Sequence, residues 1–168
     1  MQNTKPTTRN KPHGFRARLA IGTALATIAF GYGRGVAYAG ACTGSVGVYS
    51  CSGAAAGDTT QVLSGPSLAV TTNSGFGVST ATGNALSLTS SSGITFTDTH
   101  ASTITGAEKG IRAVNSSAGS VSITTTGAVT GNSSNGIFAV NNGNGTLSVT
   151  ATGPVTGKVG DGIRAYNH

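Results

Sequence analysis

The string Gly110-Ile111-Arg112-Ala113-Val114-Asn115 returns as Gly136-Ile137-Phe138-Ala139-Val140-Asn141 and again as Gly162-Ile163-Arg164-Ala165-Tyr166-Asn167, each time after 26 residues. Between these copies, the stretch 121–131 (VSITTTGAVTG) returns at 147–157 (LSVTATGPVTG) with the same step. A fixed period in the twenties belongs to an array whose units bury their apolar faces only against one another. Within a unit the residues alternate in a period of two, are rich in Val, Ile and Thr, and are punctuated by Gly or Asn-Gly. That pattern reads as short strands joined by turns. Each unit has room for three strands, around 111–115, 121–126 and 128–130 in the first copy. Three strands per coil make an all-β chain, and the expected architecture is a right-handed parallel β-helix. Leucine-rich repeats share the period, but their leucine consensus is absent.

Composition narrows the field further. Glycine supplies 27 of the 168 residues, charged residues only 8%, aromatics 5%, and there is no Trp. Such a chain lacks the Leu, Glu, Lys and Arg of a helical bundle. It also carries few side chains able to do acid–base work.

The repeat positions that stay constant predict the inward face. Ile111/Ile137/Ile163, Ala113/Ala139/Ala165 and Asn115/Asn141/Asn167 sit at i, i+2 and i+4, hence on one side of a strand. With coils about 4.8 Å apart, each set should form a ladder through the core. The asparagines are expected to cap the strand at an inward turn and to bond along the stack. Arg112/Phe138/Arg164 and Val114/Val140/Tyr166 should alternate outward. An exposed Arg-Phe-Arg column would add cation–π stacking on the order of 0.5–1 kcal/mol.

Upstream the repeat decays. The stretches 68–72, 77–80 and 86–89 look like the same strands at irregular spacing, and 94–105 (ITFTDTHASTIT) reads as a longer excursion. The organisation expected is a segment 1–39 that is removed, a first coil or cap at 40–66, and solenoid coils at 67–168 that become regular from about 106. The chain stops after the third Gly-Ile strand, so the expectation is an array truncated at its C-terminus.

The segment 1–39 carries an export signal. Lys5, Arg9, Lys11, Arg16 and Arg18 precede an apolar run from Leu19 to Gly33, and Ala37-Tyr38-Ala39 supplies small residues at −3 and −1. This is the three-part pattern of a secretory signal peptide, with cleavage between Ala39 and Gly40. The apolar run is short for a bilayer span, which needs about 20 residues. The formal net charge of +6 also belongs to this leader, because Lys109, Arg112, Lys158 and Arg164 are balanced by Asp58, Asp98, Glu108 and Asp161. A basic face for nucleic acid is therefore not expected.

Export makes the two cysteines legible. Cys42 and Cys51 flank a Gly/Ser-rich loop just past the cleavage point, and in an oxidising compartment they pair most simply as a local disulfide. Such a short closure contributes a little under about 3 kcal/mol. Acylation of Cys42 is disfavoured, because Ala39-Gly40-Ala41-Cys42 lacks a lipobox aliphatic residue and would orphan Cys51.

Taken together, the AYA cleavage site, the segment CTGSVGVYSCSGA, the strings TATGNALSLT and ITFTDT, and the TTGAVTG and NGI units resemble passenger domains of bacterial autotransporters (type V secretion). The resemblance implies an exported β-helical passenger, handled by the export machinery. It also implies a C-terminal outer-membrane β-barrel translocator in the full-length protein. The expected location is the cell surface, outer membrane or extracellular space, or the periplasm if the barrel is truly lacking. The role implied is a stalk or adhesin with host or surface glycan or protein ligands. The alternatives are a fragment of a carbohydrate-active β-helix enzyme and a truncated product without function.

A search for chemistry finds little. Asp98 and His100 would share a strand face, a carboxylate beside an imidazole, but the simpler reading is a polar surface loop. Glu108, Lys109, Arg112, Lys158, Asp161 and Arg164 read as a solvated ladder of charge. No nucleophile elbow, repeated calcium coil, metal-ligand set or cofactor motif emerges, and catalysis is not expected.

Overall fold

The computed structural model describes residues 40–54 and 56–168, so the leader reading of 1–39, with Ala37 and Ala39, lies outside the described residues. The described residues begin with β1 (Ala41–Ser45) and β2 (Val48–Ser52), followed by β3 (Ala56–Asp58) and β4 (Gln61–Gly65). The next coil holds β5 (Leu68–Thr72), β6 (Gly77–Thr80) and β7 (Leu86–Ser90). Then come β8 (Ile94–Thr97), β9 (Thr103–Gly106) and β10 (Ile111–Asn115), and after them β11 (Val121–Thr125), β12 (Val129–Gly131) and β13 (Ile137–Asn141). The last coil has β14 (Leu147–Ala151), β15 (Val155–Gly157) and β16 (Ile163–Asn167).

These strands stack into three sheets that form the sides of a solenoid of about four turns. Sheet A has the order β1-β2-β5-β8-β11-β14, sheet B β15-β12-β9-β6-β3, and sheet C β16-β13-β10-β7-β4. Every pairing is parallel except β1 with β2. Successive strands of a sheet come from successive coils, so each coil lies one strand spacing, about 4.8 Å, above the last.

Alternation within the strands fixes the inside. β10, β11 and β13 each bury their first, third and fifth residues and leave the two between half exposed. Register then lines like residues up along the stack. Ile111 pairs with Ile137 and Ile137 with Ile163, Ala113 with Ala139 and Ala139 with Ala165, Asn115 with Asn141 and Asn141 with Asn167. Ile111, Ala113, Asn115, Ile137, Ala139 and Asn141 have no exposed surface. Ile163 is 43% exposed, and Ala165 and Asn167 are likewise open to solvent. The columns Leu68–Ile94–Val121–Leu147 and Val78–Ile104–Val129–Val155 complete the apolar interior.

One expectation is corrected here, that of an excursion at 94–105. The upstream strands stack at slightly irregular spacing, as expected. Leu86 pairs with Ile111, one position short of the regular period, and Ile94 pairs with Val121, one position beyond it. Corner and strand lengths both vary and shift the period slightly; the register holds along the stack except where β3 meets β6, which carries an irregularity between Ala56 and Asp58. The stretch 94–105 is accordingly no excursion. It supplies β8, a five-residue corner at 98–102, and most of β9. The first described strands form an antiparallel hairpin closed by a disulfide between Cys42 and Cys51, which face each other across the pair. It turns through Val46 at φ 52° and Gly47 at φ 83°, an arrangement in which a β-branched residue takes on strain.

Candidate functional site

Chemistry in this molecule concentrates at the corners between sheets, where the backbone leaves its ladder and needs other partners. Asp98 opens the five-residue corner from sheet A to sheet B. Its carboxylate is fully buried. Oδ1 accepts from Thr72 Oγ1 at 2.7 Å, Ser102 Oγ at 2.8 Å, His100 N at 3.2 Å and Ser102 N at 3.4 Å. Oδ2 accepts from Gly127 N at 3.1 Å, Thr126 N at 3.2 Å and Thr125 Oγ1 at 3.2 Å. Thr72 belongs to the coil below and Thr125–Gly127 to the coil above, so one carboxylate ties three layers together.

Burial by itself raises the pKa of this carboxyl, but the hydrogen bonds from Thr72, Ser102, His100 and Gly127 outweigh it. The group is held well below the usual carboxylate range, ionised at any physiological pH. Both oxygens are engaged by donors of the fold itself, four on Oδ1 and three on Oδ2.

The shared strand face expected for Asp98 and His100 is not found, because both lie in a turn. Asp98 points inward and His100 outward, and the carboxylate takes the backbone N–H of His100, not its ring. The ring places Nδ1 2.9 Å from the Thr72 carbonyl oxygen, which fits the tautomer that donates from Nδ1. Ala101, at φ 51°, allows the reversal.

The corner from sheet C to sheet A uses a neutral device. Asn115 Nδ2 donates to Asn141 Oδ1 at 2.7 Å, and Asn141 Nδ2 donates to Asn167 Oδ1 at 3.0 Å. Asn115 also gives Nδ2 to the Ala118 and Ser117 carbonyls, at 2.8 and 3.1 Å, and accepts from Gly93 N at 3.1 Å. Asn141 donates to Gly145 O at 3.0 Å and accepts from Gly143 N at 3.3 Å. Just outside this ladder, Ser116, Ser117, Ala118, Asn142, Gly143 and Asn144 line a shallow open groove of about 330 Å³. Its lining carries hydroxyl and amide groups and no charge.

Gly40, the residue after the expected cleavage point, is buried, and its N–H lies 3.2 Å from Asp58 Oδ1. Asp58 Oδ2 accepts from Ser79 N at 3.2 Å.

On the outer face of sheet C, register does place Arg112, Phe138 and Arg164 side by side. The stacking differs from the expected Arg-Phe-Arg column. Lys109 Nζ sits 5.7 Å from the Phe138 centroid, and Arg164 lies over Tyr166 of its own strand at 5.4 Å. Tyr166 meets Phe138 edge-on at 6.2 Å. Lys109, at the end of the preceding turn, reaches the ring that Arg112 was expected to cover. Arg164 is drawn instead to the Tyr166 hydroxyl, to which its Nε donates. Arg164 and Asp161, 4.0 Å apart and exposed, form the one ion pair among the described residues, and such pairs contribute little.

Sequence reasoning missed Asp98 and Asp58 as buried groups. Their partners come from other coils, so only a coil-by-coil alignment of 72, 98 and 125–127 would have brought them together. Comparison with known protein families, with curated proteins and with solved structures finds no match to this chain.

Proposed function

We propose that this chain is an exported β-helical passenger segment of an autotransporter-like protein, serving as a stalk or adhesive surface and not as a catalyst. The observation that carries the reading is where the polar chemistry is spent. The Asp98 carboxylate and the Asn115 and Asn141 amides, all buried, bond to neighbouring coils, while the alternate positions of β10, β11 and β13 are left half exposed. That is the economy of a rigid spacer with repeated solvent faces. The disulfide between Cys42 and Cys51 suits an oxidising compartment. Surfaces of this kind bind through many weak contacts, so ligands would be host or surface glycans or proteins engaged multivalently.

The test is export in a Gram-negative host, with the chain followed by fractionation and by protease accessibility on intact cells. Processed protein in the periplasm, or on the surface when an outer-membrane barrel is supplied downstream, supports the reading. A chain that stays in the cytoplasm with its leader attached overturns it.

A further inference from the structure

Asp58 and Asp98 are both buried carboxylates, yet they are provided for unequally. Asp98 receives seven hydrogen bonds, four of them from backbone N–H groups. Among the described residues, Asp58, 8% exposed, receives two, from Gly40 N and Ser79 N, and no hydroxyl. None of the cations among the described residues pairs with it. A buried carboxylate so sparsely bonded is costly unless a positive charge stands beside it. The atom nearest to supplying one is the nitrogen of Gly40.

We propose that Asp58 is a receptor for a new N-terminus: cleavage after Ala39 turns the Gly40 nitrogen into an α-ammonium that forms a buried ion pair with the Asp58 carboxylate. The proposal rests on the export reading, because a signal peptidase must hydrolyse the Ala39–Gly40 bond. In that step the C–N bond breaks, and water gives its OH to the Ala39 carbonyl carbon and a proton to the Gly40 nitrogen. At neutral pH the amine takes up a further proton. The single N–H donor that faces Oδ1 thereby becomes a group with three donors and a full charge at the same place.

The position admits only glycine. A Cβ on Gly40 would lie 1.8 Å from the Gly77 carbonyl oxygen and 3.2 Å from Asp58 Oδ2. The residue that follows the small-residue cleavage pattern is thus the one residue type that can enter this slot. Gly40 bonds to Asp58 of β3, which in turn accepts from Ser79 N of β6, so the pair ties the residue before the hairpin to the first layer of sheet B. Processing would then stabilise the cap of the solenoid only after the leader has gone.

The experiment uses the exported chain purified from the periplasm. N-terminal sequencing comes first: a terminus other than Gly40 overturns the cleavage reading and the receptor with it. With Gly40 confirmed, the α-amine is titrated by NMR. The expected apparent pKa is about 9 or above, against the ordinary value of about 8, and Asp58→Asn should return it to the ordinary range. A raised amine pKa contributes stability that is complete below about pH 7.7 and is lost as pH rises through the folded value. Melting of the unsubstituted chain should therefore fall between about pH 8 and 10, a readout that survives if Asp58→Asn does not fold. A correct Gly40 terminus whose amine titrates normally, with melting flat over that range, overturns the receptor while leaving export intact.

Discussion

At the corner from sheet A to sheet B a single carboxylate collects seven donors from three coils, whereas at the corner from sheet C to sheet A a column of asparagines passes hydrogen bonds from each coil to the next. Both devices appear where the corner is longest. The sheet C to A corner lengthens from two residues at 66–67 to five at 116–120 and 142–146, and there the strand ends on Asn115 or Asn141. Where it is short the strand ends on Gly65 or Ser90, and the Ser90 hydroxyl suffices to reach Pro66 O at 2.7 Å. The sheet A to B corner reaches five residues only at 98–102, and it opens on Asp98. A longer turn frees more backbone groups from the ladder, and an inward polar side chain takes them up. The choice of side chain follows what is freed: Asp98 meets N–H groups and hydroxyls, while the asparagines must also answer carbonyl oxygens, which a carboxylate cannot do.

The comparison breaks most visibly at Asp98. Asp98→Ala leaves Ser102 N and Gly127 N buried without their acceptor, at about 1–3 kcal/mol each, and half-buried Thr126 N without its own. A total loss of about 4 kcal/mol is expected in chemical denaturation. The same site should mark the acid limit of the fold. Because its pKa is depressed in the folded chain, the stabilisation is present above the unfolded value of about 3.9 and disappears as pH falls below it. Melting should hold from neutral to about pH 5 and then drop, and Asp98→Asn should flatten that drop while lowering stability at neutral pH. A denaturation curve for Asp98→Ala that overlays the parent would mean that water replaces the carboxylate, and the three-layer clamp would be wrong.

The asparagine ladder should yield less per residue, because a neutral amide is easier to do without. Asn141→Ala removes the bonds to Gly145 O and Asn167 Oδ1 and strips Asn115 Nδ2 of one of its acceptors. About 2 kcal/mol is expected from the denaturation midpoint. If Asn141→Ala proves as damaging as Asp98→Ala, charge is not what distinguishes the two corners.

These corners also explain what could be read in the sequence. The regular step at Ile111, Ile137 and Ile163 is visible because both intervening coils have corners of equal length, and it carries the architecture with it. Upstream the same strands are present, but their corners are of unequal length. The step from Leu86 to Ile111 therefore falls one position short of the period and that from Ile94 to Val121 one beyond it, so the periodicity blurs while the stack stays regular. The asparagine ladder was legible because the repeat copies it. Asp98 was not, since it occurs once, in a segment whose polarity looks like a surface loop. What makes it interior is the presence of Thr72 and Thr125 one coil away on either side, and only register can reveal that.

The smallest effect sharpens the comparison most. Asn167 is of the same type as Asn141, pairs with it in register, and accepts its Nδ2 at 3.0 Å. It differs in being open to solvent. If the ladder is stabilising because each amide is taken out of water and fully answered, Asn167→Ala should shift the denaturation midpoint by less than about 0.5 kcal/mol, since water can take the place of its Oδ1 and Asn141 keeps its bond to Gly145 O. If the ladder is instead a sum of pairwise bonds, losing one such bond should show wherever it lies, and Asn167→Ala would approach half the effect of Asn141→Ala. The two accounts therefore separate at the position where the same hydrogen bond exists without the burial.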